Sequence, residues 1–317
     1  MADYKNFKIA MLGMVDGNGH PYSWSAMFNN YNKEAMEDCG FPVIPRYLEK
    51  QPAETFGVHG AKITHVWCDD PEDSKKVAKA ALIPNILEKP EDAIGQVDAV
   101  IIATDKGWEH VWRAKPFIEA GLPVFIDKPL ADNVEDLNQF IKWYKEGKMI
   151  MSSSSFRYAK EYMPYHKSTY ELGELRYINM TMPKSWERYG IHAMEAVYPI
   201  TGSGYISVQN TGGMNNNIVH LTHKDGVDVT IGNIYDMAAS PIKLVGTAAS
   251  ASIPFADSYY SFHKQLEAFV EYLESGVRPY PFEETIELMT IIIAGIRSRE
   301  EGGRKVMLEE IRKELEL

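Results

Sequence analysis

Lys128 stands directly after a short apolar run, in Gly121-Leu122-Pro123-Val124-Phe125-Ile126-Asp127-Lys128-Pro129-Leu130. A lysine at the carboxyl end of a buried strand, fixed by the proline behind it, is a point charge placed where open α/β sheets bind their ligands. There it can stabilise an oxygen that gains negative charge during a reaction. A second group follows an earlier apolar run: Gly13-Met14-Val15-Asp16-Gly17-Asn18-Gly19-His20 is a glycine-rich turn leading into a helix whose amides can hold a pyrophosphate. The spacing is not G-x-G-x-x-G, and a turn that only needs glycine at positive φ reads the same way. Asp69 and Asp70 follow a third run. An acid there accepts hydrogen bonds from an adenosine ribose and disfavours a 2′-phosphate, which points to NAD with NADP still open. Asp70, immediately before Pro71, also suits a helix cap.

Such residues need strands behind them. The periodicity predicts strands at 8–14, 62–68, 97–103, 123–127 and 149–152, with helices at 23–37, 71–81, 109–120 and 134–145 between them. Short β-branched runs alternating with helical segments are the pattern of βαβ units, hence a doubly wound, Rossmann-like α/β parallel sheet. The proline-bearing stretch 39–60 reads as an inserted, partly irregular loop. After Ser155 one or two helices lead into alternating strands at 175–182, 205–211, 217–223, 228–234 and 242–247, then helices at 258–275 and 283–297. That is an α+β domain with a largely antiparallel, open-faced sheet. The expected division is a dinucleotide-binding domain over 1–152 and a substrate-binding and oligomerisation domain over 153–317. The run Ser152 to Ser155 reads either as a linker or as a strand end at the junction.

The chain has 317 residues, 45% apolar and 24% charged, the balance of a soluble globular protein with room for two cores. Acids outnumber bases by 44 to 33, so the net charge of −11 argues against nucleic acid or an anionic membrane as partner. The start, Met-Ala-Asp-Tyr-Lys, is polar, and no segment approaches the roughly 20 apolar residues of a membrane span. Cys39 and Cys68 belong to no C-x-x-C pair. A cytoplasmic protein without a disulfide framework or a metal site is the expectation.

The Asp-Lys-Pro at 127–129 resembles the Glu-Lys-Pro motif of the Gfo/Idh/MocA family, the glucose-fructose oxidoreductase and inositol dehydrogenase group. Val97 to Thr104 is similar to that family's strand before the nicotinamide site, and His110 matches a histidine of its next helix. Ser154-Ser155-Phe156-Arg157-Tyr158 and Gly173-Glu174-Leu175 resemble its crossover, and Gly190-Ile191-His192 its Gly-x-His segment. The resemblance implies hydride transfer between a nicotinamide and a carbon of a sugar or polyol, with Lys128 and His192 as the catalytic pair. A histidine titrates in the right range to take the hydroxyl proton. It also implies that Thr104, His110, Asp127 and Lys128 join the glycine loop, Asp69 and Asp70 in holding NAD. Two departures stand out. Arg188 occupies the place of an aspartate four residues before the histidine, which favours an anionic substrate group such as a carboxylate, or a pairing with a nearby acid. The loop brings His20, Tyr22 and Trp24 to the mouth of the pocket, where they either narrow it or pack the helix start. Tyr158, Arg188, Tyr189 and Glu195 are the candidate substrate contacts, and Glu195 either orients His192 from one helical turn away or forms a surface pair.

The sequence therefore reads as an NAD-dependent oxidoreductase acting on a secondary alcohol of a sugar, polyol or sugar acid, assembled as a homodimer or homotetramer. Two other readings stay open: a redox-neutral nicotinamide enzyme such as an epimerase or glycoside-cleaving enzyme, and a non-catalytic ligand-binding protein on the same fold.

Overall fold

Apolar runs that can bury both faces form the first sheet of the computed structural model, which describes residues 6–317; the polar start at 1–5 lies outside the described residues. Its strands are Phe7–Leu12 (β1), Ala61–Trp67 (β2), Asn85–Ile86 (β3), Ala99–Ile102 (β4), Val124–Ile126 (β5) and Ile150–Met151 (β6). They pair in parallel in the order β3-β2-β1-β4-β5-β6. The order reverses between β1 and β4, so the ligand crevice of a doubly wound sheet opens just beyond those two strands. Gly13 and Thr104 sit there. β3 escapes the periodicity because it is two residues long with both exposed.

Helices cover both faces of this sheet. The single helix expected over 23–37 is two, His20–Asn29 (α1) and Lys33–Glu37 (α2). Asn30 turns the chain at φ 71°, and the Asn32 side chain caps α2 by accepting from the Ala35 amide. The insertion is less irregular than expected: Val43–Leu48 (α3) drives Ile44 and Leu48 into the core. Pro71–Ala80 (α4), His110–Glu119 (α5) and Val134–Lys145 (α6) complete the layer. α4 is capped by Asp70, whose Oδ1 accepts from the Glu72 amide at 2.8 Å.

Beyond β6 come Met163–Lys167 (α7), Leu175–Met182 (β7), Ile191–Thr201 (α8), Tyr205–Asn210 (β8), Asn216–His223 (β9), Asp228–Ile234 (β10), Ile242–Gly246 (β11) and Ser250–Ile253 (β12). Ser258–Ser275 (α9), Phe282–Glu300 (α10) and Val306–Met307 (β13) follow. The second sheet runs β12-β11-β7-β10-β9-β8-β13 and is antiparallel except where β10 pairs with β7. In β7, buried Ile178, Met180 and Met182 alternate with half-exposed Tyr177, Asn179 and Thr181, the period-2 signature of a sheet packed on one face only. α9 does not stay with this sheet. Its Leu266 and Phe269 enter the same apolar cluster as Trp24 and Phe125 on the first sheet. Both cysteines are buried free thiols. Among the described residues no helix is long and apolar enough to cross a membrane.

Gly13 shows how tightly the crevice is built. Its φ is +84°, and a Cβ there would lie 2.8 Å from Thr104 Cγ2. Gly13→Ala should therefore destabilise the protein by about 1–3 kcal/mol through left-handed strain and collision, read as a lower denaturant midpoint. An unchanged midpoint would show that the loop yields at no cost.

Candidate active site

Lys128 leaves β5 into the crevice and is 2% exposed. Its Nζ lies 3.3 Å from Asp105 Oδ2, 3.4 Å from the Arg188 carbonyl and 4.7 Å from the centre of the Tyr189 ring. Asp105 is 1% exposed, and its other oxygen accepts from Arg188 Nη2 at 2.6 Å. Burial opposes a charged Asp105, but Lys128 and Arg188 outweigh it and hold the carboxyl well below its ordinary range. Burial likewise opposes a charged Lys128, and Asp105 and Asp127 outweigh it, so the ammonium is held above its ordinary range. The centre is thus a buried carboxylate between two cations. Arg188 is occupied by this work and by the Asp16 carbonyl at 3.2 Å.

His192 enters from the first turn of α8. The Tyr189 ring meets it edge-on at 4.8 Å, and its Nδ1 lies 2.6 Å from Ser154 Oγ. Ser154 Oγ also accepts from the Phe156 amide at 3.2 Å and keeps its hydrogen and a second lone pair for Nδ1, so it orients the ring in either tautomer. Burial, together with Lys128, His20 and Lys184, pushes the imidazole pKa well down. His192 is thus a buried, neutral imidazole, with one donor and one acceptor nitrogen. Ser154 is the residue that the sequence reading passed over; a run of four serines shows no sign of which one meets a histidine. Ser154→Ala should leave the imidazole free to rotate, lowering kcat about 10- to 100-fold at unchanged cofactor affinity. A wild-type kcat would remove this role.

Glu195 does not touch His192. α8 is buried on all sides over residues 191–198, so Glu195 turns inward, where it accepts from Arg157 Nε and from the Ser154 amide at 3.4 Å. Its expected substrate contact is replaced by a structural pair. Tyr158 packs against the apolar cluster of the first sheet with its hydroxyl buried, and so is no pocket lining. Tyr22 and Trp24 are buried core residues at the start of α1.

The glycine loop divides in two. Gly13, Met14 and Val15 stay beside the crevice, where the Met14 amide donates to Asp69 Oδ2 at 3.3 Å. The rest of the loop is spent on the protein itself. The Gly17 carbonyl accepts from Lys184 Nζ at 3.0 Å, and Asn18 Nδ2 donates to Asp127 Oδ2 at 2.9 Å and to the Ala103 carbonyl at 3.2 Å. Gly19 packs against Phe41 and Ile44, which leave no room for a Cβ. The α1 start offers few free amides: the His20 N–H is taken by Asn18 Oδ1 at 3.0 Å and Pro21 has none. At the α1 start, therefore, neither His20 nor Pro21 offers a free amide to a pyrophosphate, and the loop at 13–20 could hold one only through its earlier amides. His110 is also corrected: it is fully buried and braces the carbonyls of Thr104 (2.8 Å) and Leu130 (3.1 Å). Asp70 is the α4 cap. Asp127 has both oxygens filled by Asn18, His20 and the Lys128 amide.

What remains still suits an adenosine nucleotide. Thr104 Oγ1 is buried beside Gly13 without a hydrogen-bond partner, an acceptor and donor waiting for a ligand. Asp69 stands at the end of β2, fixed by Arg113 Nη2 at 2.8 Å, next to a small cavity of about 40 Å³ lined by Leu12, Gly13, Trp67, Trp112 and Arg113. Gly13, Val15, Asp69 and Thr104 are the residues free to hold it.

Residues 39–154 match the model of the oxidoreductase family with an NAD-binding Rossmann fold. That stretch is similar to Gfo/Idh/MocA. The Gfo/Idh/MocA match takes in Asp69, Thr104 and Lys128 and begins after the loop at 13–20, the part that departs from the family pattern. A search of curated protein sequences found no match. Solved structures of the same fold include myo-inositol 2-dehydrogenase from Lactobacillus plantarum, with TM-score 0.75 and 15% identity over 96% of this chain and 99% of that one. The scyllo-inositol dehydrogenase of Lactobacillus casei, with bound NAD(H) and scyllo-inositol, gives TM-score 0.73 and 13% identity over 96% and 100%. An oxidoreductase from Agrobacterium radiobacter in complex with NAD+, L-tartaric acid and magnesium gives 0.71 and 15% over 97% and 100%. At these identities the likeness is one of fold.

Proposed function

We propose that the protein is an NAD-dependent oxidoreductase that takes hydride from a secondary alcohol of a sugar, polyol or sugar acid, with Lys128 and His192 on the reacting oxygen. The observation that carries this reading is the convergence of Lys128, from the end of β5, and His192, from α8, on one ring, Tyr189. Lys128 comes from the end of a strand of the first sheet and His192 from the first turn of a helix that follows β7 of the second. Gly13, Val15, Asp69 and Thr104 would hold the nucleotide, with the Asp69 carboxylate at the ribose. Bound NAD would supply the hydride acceptor.

The rest falls to the chain. Lys128 supplies fixed positive charge that favours the alkoxide-like state over the alcohol, and the neutral imidazole of His192 takes the hydroxyl proton. Arg188, once released from Asp105, is the group that would bind a sugar-acid carboxylate bidentately. Two free buried thiols and the half-exposed polar face of the second sheet support a cytoplasmic homo-oligomer.

Titration of the purified protein with NAD+, NADH, NADP+ and NADPH tests the reading, using transfer from its six tryptophans to the reduced nicotinamide and quenching by the oxidised forms. Tight binding of the NAD pair is expected, followed by NADH formation with some member of a panel of inositols, hexoses and sugar acids. No response to any of the four forms would overturn it.

A further inference from the structure

Arg113 reaches into the nucleotide crevice from the first turn of α5, four residues after Glu109, and its side chain is 8% exposed. Nε donates to Glu109 Oε2 at 2.7 Å and Nη2 to Asp69 Oδ1 at 2.8 Å, while the centre of the Trp112 ring lies 4.5 Å from the guanidinium carbon. These contacts fix the plane of the fork. They also leave one nitrogen over. Nη1 stands 3.4 Å from the place a Cβ of Gly13 would take, so the missing side chain is what lets it approach the end of β1. Among the described residues Nη1 has no hydrogen-bond partner, and it is not enclosed. A guanidinium carries five N–H donors. One that is nearly buried, with a whole nitrogen unspent at the same glycine as the unpartnered Thr104 Oγ1, is set for the oxygen of a ligand.

The charges around Arg113 decide what kind of oxygen. Two carboxylates, Asp69 and Glu109, share the one guanidinium, and Lys106 Nζ stands 3.5 Å from the other oxygen of Glu109. The four charges cancel. Glu109 is buried, whereas the Asp69 side chain is 41% exposed, so Asp69 is the acid that a ligand can approach. Its second oxygen accepts from the Met14 amide at 3.3 Å, and lone pairs remain on both oxygens for ribose hydroxyls. The cavity beside Arg113 has Trp67, Pro90 and Trp112 among its walls, apolar surfaces that suit the edge of a purine.

We propose that Arg113 is the donor to the 2′-oxygen of the adenosine ribose, and that Asp69 holds its charge in check so that this oxygen must belong to a hydroxyl. The proposal rests on the reading of the crevice as an NAD site. The 2′-hydroxyl of NAD gives its hydrogen to Asp69 and accepts one from Nη1. The 2′-phosphate of NADP would bring a charge of about −1.5 to −2 against the Asp69 carboxylate, and the guanidinium that could answer it is already shared between two acids. Preference for NAD is then a balance struck between the end of β2 and α5. Removing the acid alone reverses it, because Arg113 is left with both Nη atoms free to grip a phosphate as a fork.

Calorimetric titration of the whole chain with ADP-ribose and with 2′-phospho-ADP-ribose tests this without nicotinamide or turnover. Both ligands differ only at the 2′ position, so a general loosening of the crevice moves them alike and only the ratio of their affinities counts. The wild type is expected to favour ADP-ribose. Asp69→Asn keeps an acceptor for the Met14 amide and should tighten the 2′-phosphate ligand relative to ADP-ribose by about 10- to 100-fold, the scale of one charge-assisted hydrogen bond or more. Adding Arg113→Met should abolish that gain. Methionine fills the space beside Trp112, and Glu109 keeps Lys106 as partner, so circular dichroism should show the fold intact. Arg113→Lys in the same background, a milder change, should lose most of the gain as well, since a lysine has no fork. No gain in Asp69→Asn, or the same gain with Arg113 replaced, overturns this proposal and leaves the NAD site standing. Failure of the wild type to bind either ligand overturns the reading beneath it.

Discussion

Lys128→Ala should cost at least about 100- to 1,000-fold in kcat, the scale for loss of one preorganised group on a developing oxyanion, while the fold survives. The fold survives because Asp105 is not orphaned: Arg188 remains 2.6 Å from its Oδ1. Activity should not, because in the proposed mechanism the ammonium is the fixed charge facing the reacting oxygen, and in a nearly dry site one charge counts for more than in water. Lys128→Met separates charge from volume, keeping the packing against Tyr189, and should be as inactive as the alanine variant. Lys128→Arg should not rescue it, since a planar guanidinium does not fit a point-charge position 3.3 Å from Asp105 Oδ2. Removing the charge also relieves one cause of the depressed His192 pKa, so the His192 imidazole should titrate at higher pH in the alanine and methionine variants but not in Lys128→Arg. The measurements are NADH absorbance with the oxidised panel compound, circular dichroism for the fold and histidine NMR for the titration. Full turnover in Lys128→Ala would end the catalytic claim.

The layout of the first sheet is legible in the sequence because parallel strands buried on both faces must be continuous apolar runs, and the residues just past them must face the crevice. That reasoning reaches Gly13, Asp69 and Lys128 from position alone, whereas Thr104 needs the family resemblance. It fails where partners are set by tertiary structure. His20 and Asp127 are 107 residues apart, and no periodicity joins them. Both were read as cofactor contacts because each follows a strand, and neither position shows that one side chain will fill the other. Ser154 fails for the opposite reason, since four serines in a row look like a linker and only the fold shows which one faces α8. Glu195 shows the limit of local rules: three residues after His192 on a helix suggests a pair, yet a helix buried on every side lets each residue find its partner in a different neighbour. The break at Asn30 is a left-handed residue inside an otherwise helical pattern, a conformation that asparagine tolerates without advertising.

Asp105→Asn should be the most destabilising single change at the site, at about 3–5 kcal/mol, the scale for removing one partner of a buried ion pair. Two cations, Lys128 and Arg188, would then face each other around a neutral amide with little water to screen them. The pH dependence follows from the two shifts. Asp105 is held below its ordinary pKa in the folded protein, so its stabilisation is complete above roughly pH 4 and is lost as pH falls through the folded value. Lys128 is held above its ordinary pKa, so its contribution is complete below roughly pH 10 and is lost as pH rises through the folded value. Between these limits the pair contributes a plateau. Chemical denaturation of wild type and Asp105→Asn should therefore differ by a near-constant amount from pH 5 to pH 9, and the gap should close on acidification below pH 4. Asp105→Asn combined with Lys128→Met should recover part of the loss, because the ammonium left without a partner is gone and methionine fills its volume. Equal stability of wild type and Asp105→Asn across pH 5 to 9 would mean that the buried carboxylate does not hold Lys128 in place, and the positioning of the catalytic charge would then have to come from Tyr189 and the Arg188 carbonyl alone.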